Sequence, residues 1–426
     1  MAIILVGLFL LLAIGVPIGM AFGLAGFAFG TNNAIPLESL ASIPYESVTS
    51  FPLLAIPLFL LMGELMKVGQ LADQLLAVVG KLVGRLRYSM GYIVVGTCAF
   101  LGAITGSSVA TVSAVGGLVT RPMLDRGYPL AYIGAITASA GLLGCLIPPS
   151  IPLIIYGSTV GVSVADLFLA SLVPGLLCVV LFAIVHRLVA PRLARNGAVP
   201  DSGTNTPVLP AAAQSHWWDS LPALAMPIVV LGGIYGGVFT PTEAAAAGCV
   251  YALLICLLKR KRAPNAIRST LVTAAIVSGA VLAILAFASV FNRALTLAQV
   301  PMQLAEFALS LTTDRAIFLL IVNLVMLLIG MLMETNTAVL LMAPLLAPVA
   351  QRYGIDPLHF GVVLVTNIEV GLLTPPMAAN IFVASKATGA PVASLLRYVW
   401  PFLLAALLLL LLITYLPILS TWPKLL

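Results

Sequence analysis

The feature that most restricts this chain is the length of its uncharged apolar runs. Ala2 to about Phe29 carries no charged side chain, and further apolar runs stand near residues 51–80, 130–157, 164–190, 219–236, 241–258, 270–292, 357–385 and 393–418. Runs of roughly 20 apolar residues match the hydrocarbon layer of a bilayer at the helical rise per residue. No water reaches backbone N–H and C=O groups in that layer, so only helices and closed barrels cross it. A barrel would alternate in segments of about ten residues, and these runs do not alternate. Only 8% of residues are charged, against about 25% in soluble domains. A soluble enzyme, a disordered chain and a disulfide scaffold are excluded. The fold class predicted is an all-α polytopic membrane protein. The first run lacks the basic flank of a signal peptide, so it is expected to remain as the first span. Residues 30–50 are mixed in character and are expected at the interface.

Two regions, 89–121 and 315–352, are apolar but interrupted near their middles by small polar residues. Charge decides how the first is threaded. Thirteen of the 20 basic residues are Lys81, Arg85, Arg87, Arg121, Arg126, Arg187, Arg192, Arg195, Lys259, Arg260, Lys261, Arg262 and Arg268. They share the cytoplasmic side, as the positive-inside rule demands, only if 89–121 enters the membrane and returns. That predicts a re-entrant hairpin, a cytoplasmic N-terminus and a C-terminus on the far side. The net charge of +6 is thus read as topology, with the lipid bilayer as partner and no nucleic acid. Residues 196–218, rich in Pro, Gly, Ser, Thr and Asn, read as a cytoplasmic linker. The five cysteines (Cys98, Cys145, Cys178, Cys249, Cys256) stand singly in apolar runs and read as small packing residues. The three histidines are scattered, so no metal-enzyme cluster or catalytic residue is indicated.

The second half of the chain echoes the first. Gly144-Cys-Leu-Ile-Pro148-Pro149 recurs 227 residues later as Gly371-Leu-Leu-Thr-Pro375-Pro376. Each copy follows a polar break, Thr105-Gly-Ser-Ser108 in one and Glu334-Thr-Asn-Thr337 in the other. On the charge map the two hairpins enter from opposite sides. Inverted repeats of this kind mark secondary transporters, with sites at discontinuous helices near the midplane.

A proline within a helix removes the bond to the carbonyl four residues back. On that reading Pro148 and Pro149 free the carbonyls of Gly144 and Cys145, and Pro375 and Pro376 those of Gly371 and Leu372. Free carbonyls and nearby hydroxyls (Thr105, Ser107, Thr335, Thr337, Thr374) offer the neutral oxygens a hard monovalent cation needs. Helix starts at the hairpin tips favour an anion. The competing reading makes Ser107 and Ser108 packing residues, and Asn336, Asn367 and Asn380 hydrogen-bond glue between helices. Glu64, Asp166, Glu243, Glu334 and Glu369 lie in or beside apolar runs, where an ionised side chain costs about 2.5–3.5 kcal/mol at helix centre. Glu243 follows Thr240-Pro-Thr, a helix-start pattern. Arg293 reads as a loop charge, and Trp217, Trp218 and Trp422 as interfacial anchors.

An ordered set of motifs runs through nearly the whole chain: Ile104-Thr-Gly-Ser-Ser108, Ile147-Pro-Pro-Ser150, Leu167-Phe-Leu-Ala170, Pro174-Gly175 and Val238-Phe-Thr-Pro-Thr-Glu243-Ala-Ala-Ala. Together they resemble the large membrane subunit (DctM-like) of tripartite ATP-independent periplasmic (TRAP) transporters. The resemblance implies an inverted-repeat elevator-type secondary transporter in a bacterial or archaeal inner membrane. An extracytoplasmic substrate-binding protein would deliver a carboxylate or similar organic anion, such as a C4-dicarboxylate or sialic acid. A small membrane subunit of about four helices would brace the large one, and a Na⁺ gradient would drive uptake with no cofactor.

By the same resemblance, Na⁺ lies between each hairpin tip and the broken helix that follows. The matching positions are Thr105, Ser107, Gly144, Ile147 and Pro149 for the first site. For the second they are Thr335, Thr337, Gly371, Thr374 and Met377. Substrate is expected between the tips, near Ser108, Asn336 and Asn380. The expected organisation is scaffold at 1–80 and 164–292, with the linker 196–218. Transport repeats stand at 81–163 (hairpin 89–121, broken helix 130–157) and 293–392 (hairpin 315–352, broken helix 357–385), followed by a C-terminal helix at 393–426. The alternatives are a stand-alone ion-coupled carboxylate symporter or antiporter, and a membrane enzyme, for which no nucleophile or His/carboxylate cluster is present.

Overall fold

The computed structural model describes residues 7–8, 10–11, 14–32, 35–195, 217–258 and 264–425. Nearly all of the expected linker, and the basic run Lys259 to Arg262, lie outside the described residues. The described residues form helices joined by short turns, without strands. Six stretches are long and apolar enough to cross a membrane: Phe51–Val68, Leu130–Val160, Val164–Leu193, Pro241–Leu258, Ala266–Leu297 and Val392–Tyr415.

Two expected single spans are divided. The first run turns at Gly15, whose φ is 84, and helix α1 (Ile18–Asn32) begins only after Pro17. Proline suits a helix start, where its missing N–H has no helical partner to lose. The run at 51–80 is likewise two helices beyond the short α2 (Leu37–Ala41) and α3 (Ile43–Val48): α4 (Ala55–Val68) and α5 (Leu71–Val83). They part at Gly69 and Gln70, the latter left-handed at φ 55. Asp73 in the first turn and Lys81 in the last suit the dipole of α5.

Both hairpins form. The first is α6 (Ser89–Thr105) and α7 (Ser108–Leu124), turning at Gly106 (φ 62) and Ser107. After it come α8 (Leu130–Ala140), one short turn α9 (Leu143–Leu146), an extended stretch, and α10 (Ile151–Val160). Long α11 (Val164–Arg195), α12 (Trp217–Tyr235), α13 (Pro241–Leu258) and α14 (Pro264–Leu297) follow, then α15 (Val300–Leu311). The second hairpin is α16 (Arg315–Gly330) and α17 (Thr335–Arg352). Its broken helix is α18 (Pro357–Gly371) and α19 (Ala379–Thr388). The chain continues through α20 (Val392–Tyr415) and α21 (Ile418–Thr421).

Asp356 caps α18, accepting from the N–H groups of Leu358 (2.9 Å) and His359 (3.2 Å), and pairs with Lys424. Burial disfavours its charge, but Lys424 and the two N–H donors outweigh that and hold the carboxyl below the ordinary aspartate range. At the start of α13, Thr240 and Glu243 form a reciprocal capping box, as the helix-start pattern predicts.

The prolines act differently from the expectation. Pro375 and Pro376 do not sit inside a helix, because α18 ends at Gly371 and residues 372–378 are outside helix. The Gly371 carbonyl is not free: the Thr374 N–H donates to it at 2.9 Å. Residues 147–150 are likewise outside helix, and both Pro-Pro peptides are cis.

The packing is internally repeated. A Cβ on Gly102 would stand 2.9 Å from the Cα of Gly144, and one on Gly330 would stand 3.1 Å from the Cα of Gly371. Each first hairpin arm therefore crosses its broken helix at glycine against glycine. The Ile151 N–H donates to the Gly106 carbonyl, and the Met377 N–H to the Met331 carbonyl, both at 3.1 Å. Helix α1 packs on α14, and α4 on α13 and α14. Helix α11 packs on α6, α9, α10, α18, α20 and α21. That places residues 164–195 against the hairpin repeats.

Gly102→Val and Gly330→Val each push a branched side chain into backbone. Each is expected to cost about 1–3 kcal/mol by overpacking, read as a lower unfolding temperature of the purified protein. Gly117→Ala and Gly279→Ala, where a Cβ meets open space, are expected to be neutral or slightly stabilising.

Candidate functional site

The first hairpin tip is a knot of oxygens. Ser107 caps α7, its Oγ accepting from the Ala110 N–H at 3.4 Å. That bond leaves its carbonyl turned to hydroxyls: Thr111 Oγ1 donates to it at 2.9 Å and Thr105 Oγ1 approaches at 3.4 Å. The two threonine oxygens stand 2.9 Å apart. Gly144 lies against this group, since a Cβ there would meet Ser107 O and Thr111 Oγ1 at 2.6 Å. A Cβ on Gly106 would reach the Pro149 carbonyl at 2.9 Å. Thr105, Ser107, Gly144 and Pro149 thus lie together at this tip. The Ile147 side chain is buried and packs on Gly175 of α11.

Two side chains at this tip, those of Thr111 and Cys145, are not among the groups expected there. Thr111 sits one turn into α7, where a threonine reads as an ordinary helix residue. Cys145 is more than a packing residue: the Ser108 N–H donates to its Sγ at 3.3 Å, and the thiol points at the Gly106 carbonyl at 3.8 Å. Its place directly after Gly144 of the repeated motif was the available signal.

The second tip uses a carboxylate where the first uses a hydroxyl. Glu334 caps α17, accepting from the Thr337 N–H at 3.3 Å and from Asn336 Nδ2 at 2.7 Å. Asn336 therefore folds back on its own tip. The hydroxyl of Thr337, 1% exposed, has no partner, nor does either amide atom of Asn380, which is fully buried. Thr374 is half-buried, and the Met377 side chain is 51% exposed. These residues share the second tip and its broken helix, joined through Met331 and Met377.

The two tips meet at Glu369, in the last turn of α18. Its Oε1 accepts from Thr335 Oγ1 at 2.7 Å and from Ser108 Oγ at 3.3 Å. Glu369 is fully buried and its Oε2 has no partner. Among the described residues no lysine or arginine is buried. The sequence signal was present: a lone carboxylate in an uncharged span, two residues before Gly371. Arg293, on α14, is exposed. A cavity of about 470 Å³ between α10, α15 and α17 is lined by Thr159, Gln299, Met302, Gln351 and Arg352 among others, and by none of the residues expected in the site.

The oxygen set at the first tip, two hydroxyls and a carbonyl within 3.4 Å of one another, is of the kind a hard monovalent cation needs. Unpartnered Thr337 Oγ1 and Glu369 Oε2 offer further acceptors at the second.

Comparison with known proteins agrees with this architecture. The family model described as "Tripartite ATP-independent periplasmic transporter, DctM component" matches residues 5–419. The isethionate TRAP transporter permease protein DctMQ of Oleidesulfovibrio alaskensis is 37% identical over 96% of this chain, which spans 64% of that protein's length. The C4-dicarboxylate TRAP transporter large permease protein DctM of Pseudomonas aeruginosa is 38% identical, covering 86% of this chain and 85% of its own. Among solved structures, the YdaH transporter of Alcanivorax borkumensis shares the fold. The TM-score is 0.63 at 19% identity, with 91% of this chain and 89% of that chain covered.

Thr111→Val removes the hydroxyl that joins Thr105 to the Ser107 carbonyl and leaves buried acceptors unsatisfied. It is expected to cost about 1–3 kcal/mol. Thr97→Val removes a buried hydroxyl that has no partner and is expected to be neutral or stabilising. Thermal unfolding of the two variants side by side checks the contrast.

Proposed function

The chain belongs to the DctM component family of tripartite ATP-independent periplasmic transporters, and on that premise we propose that it is the transport subunit of a Na⁺-coupled importer of organic anions. The observation that carries the reading is the convergence of two hairpin tips on Glu369, each backed by a helix break rich in oxygen acceptors. Helix starts favour an anion, while hydroxyl and carbonyl oxygens favour a hard cation. Side by side, they let ion and substrate bind together and travel as a neutralised pair.

The proposed partners are a small membrane subunit bracing the exposed apolar faces and an extracytoplasmic binding protein delivering substrate. The substrate class is a carboxylate or related organic anion. The C4-dicarboxylates and isethionate named for its relatives are the first candidates. In the proposed elevator motion, the hairpins and broken helices move with α11 and α20, which pack on them, past α1, α4, α13 and α14. The inner membrane is the proposed location, with the N-terminus cytoplasmic and the C-terminus periplasmic. The moving contact would then run along α17 against α14 and α15, and along α5 against α6.

Thermal unfolding in Na⁺, K⁺ and choline at equal ionic strength tests the ion. A ligand bound only by the folded state stabilises by RT ln(1 + [L]/Kd), about 2.7 kcal/mol at one hundred times Kd. A Na⁺-selective rise is expected, diminished by Ser107→Leu and by Thr374→Leu. Reconstitution with both partner proteins, assayed with labelled C4-dicarboxylates and isethionate, is expected to give uptake that needs the binding protein and an inward Na⁺ gradient. Uptake indifferent to Na⁺ would overturn the coupling. Uptake without the binding protein would favour a stand-alone symporter.

A further inference from the structure

The starts of α7 and α17, the second arm of each hairpin, face one carboxyl group. Ser108 is the first residue of α7 and Thr335 the first of α17, and both hydroxyls donate to the same oxygen of Glu369. A helix start concentrates unsatisfied N–H groups and the positive end of the dipole. Two starts aimed at one point make a place suited to an anion, buried here to 3% exposure at Ser108 and 2% at Thr335. A carboxyl from α18 already stands in it. The Cys145 thiol also stands against the carboxyl group, yet its second oxygen is fully buried without a hydrogen-bond partner, and no buried lysine or arginine among the described residues compensates it. Burying a carboxyl oxygen unpaired is costly, so nothing in the packing alone accounts for an acidic residue at this point of an uncharged span.

We propose that Glu369 is a tethered anion: its carboxyl group holds the place between the starts of α7 and α17 in the carrier without substrate, and the carboxylate of an incoming substrate takes that place by displacing it. The proposal rests on the reading of the chain as an organic-anion carrier. It adds which group of the protein the substrate competes with, and where. Glu334 does not fill this role, because its oxygens are engaged by Thr337 N–H and Asn336 Nδ2 on its own tip. The device gives the unloaded carrier a filled anion place, so the two tips stay joined when no substrate is present. Release of the Ser108 and Thr335 bonds from Glu369 then accompanies substrate entry.

The test removes the tether and supplies a free anion of the same chemistry. Glu369→Ala in the full chain, purified in lipid, leaves a gap the size of a small carboxylate between two helix starts. Its thermal unfolding is measured in sodium formate, sodium chloride and formamide at constant Na⁺. Formate is expected to raise the unfolding temperature of Glu369→Ala by several degrees, with saturation. Chloride and neutral formamide are expected not to do so. Wild type and Glu369→Gln, in which the place is filled, are expected not to respond. An equal shift with formamide, no shift with formate, or the same formate shift in wild type would overturn the proposal. If Glu369→Ala does not fold, Glu369→Ser leaves a similar gap and is read in the same way. None of these measurements involves uptake or Na⁺ coupling, so failure of the transport reading and failure of this proposal appear in different experiments.

Discussion

A helix that stops inside a membrane leaves backbone groups that neither lipid nor neighbouring turns can satisfy. Among the described residues this chain interrupts apolar helical segments at two hairpin tips and two broken helices, and the rest of its architecture follows from how those groups are met. The Gly106 carbonyl meets the Ile151 N–H, and the Met331 carbonyl meets the Met377 N–H. Those bonds need tip and broken helix to lie almost in backbone contact. The Gly102–Gly144 and Gly330–Gly371 crossings allow this, since a Cβ at any of the four would stand within 3.1 Å of backbone on the other element. The glycines thus bring the breaks together, and the breaks supply the polar atoms of the site.

Much of this was legible from residue order. Charge placement required the first hairpin to return to its starting side, and the repeated Gly-x-x-x-Pro-Pro motif marked where the second would find its counterpart. Both hairpins stand within a few residues of the expected bounds. What failed did so for local reasons. Hydropathy cannot see that Gly15 with Pro17, or Gly69 with Gln70, divides an apolar run, because such turns cost no polarity. The proline argument named the right segments for a partly wrong cause: the helices end ahead of the Pro-Pro pairs, and the Gly371 carbonyl is taken by Thr374 rather than freed.

The contacts that join the repeats were the least legible. Glu369 reaches Ser108 across 261 residues of sequence, and Thr335 across 34. No spacing rule relates these positions, since they are set by the crossing of two hairpins rather than by one helix face. Cys145 shows the same difficulty at shorter range. A single cysteine in an apolar run is most simply a small packing residue, as Cys249 and Cys256 are against the carbonyls of Leu58 and Leu65. Only the fold places Cys145 between Ser108 and Gly106.

The two tips repeat in backbone but not in charge. Capped by Ser107 and lined by Thr105 and Thr111, the first is built on hydroxyl and carbonyl oxygens. Glu334 caps the second, and Glu369 stands between the two. On the proposed reading, a cation at the second tip would meet carboxyl oxygens where one at the first would meet hydroxyl and carbonyl oxygens. The inverted repeat supplies two similar backbones, while the side chains make the two tips unequal. A carrier of the proposed kind, which must hold an anion and cations together yet release them in turn, would gain from that inequality, because the weaker site could empty while the stronger one is still filled.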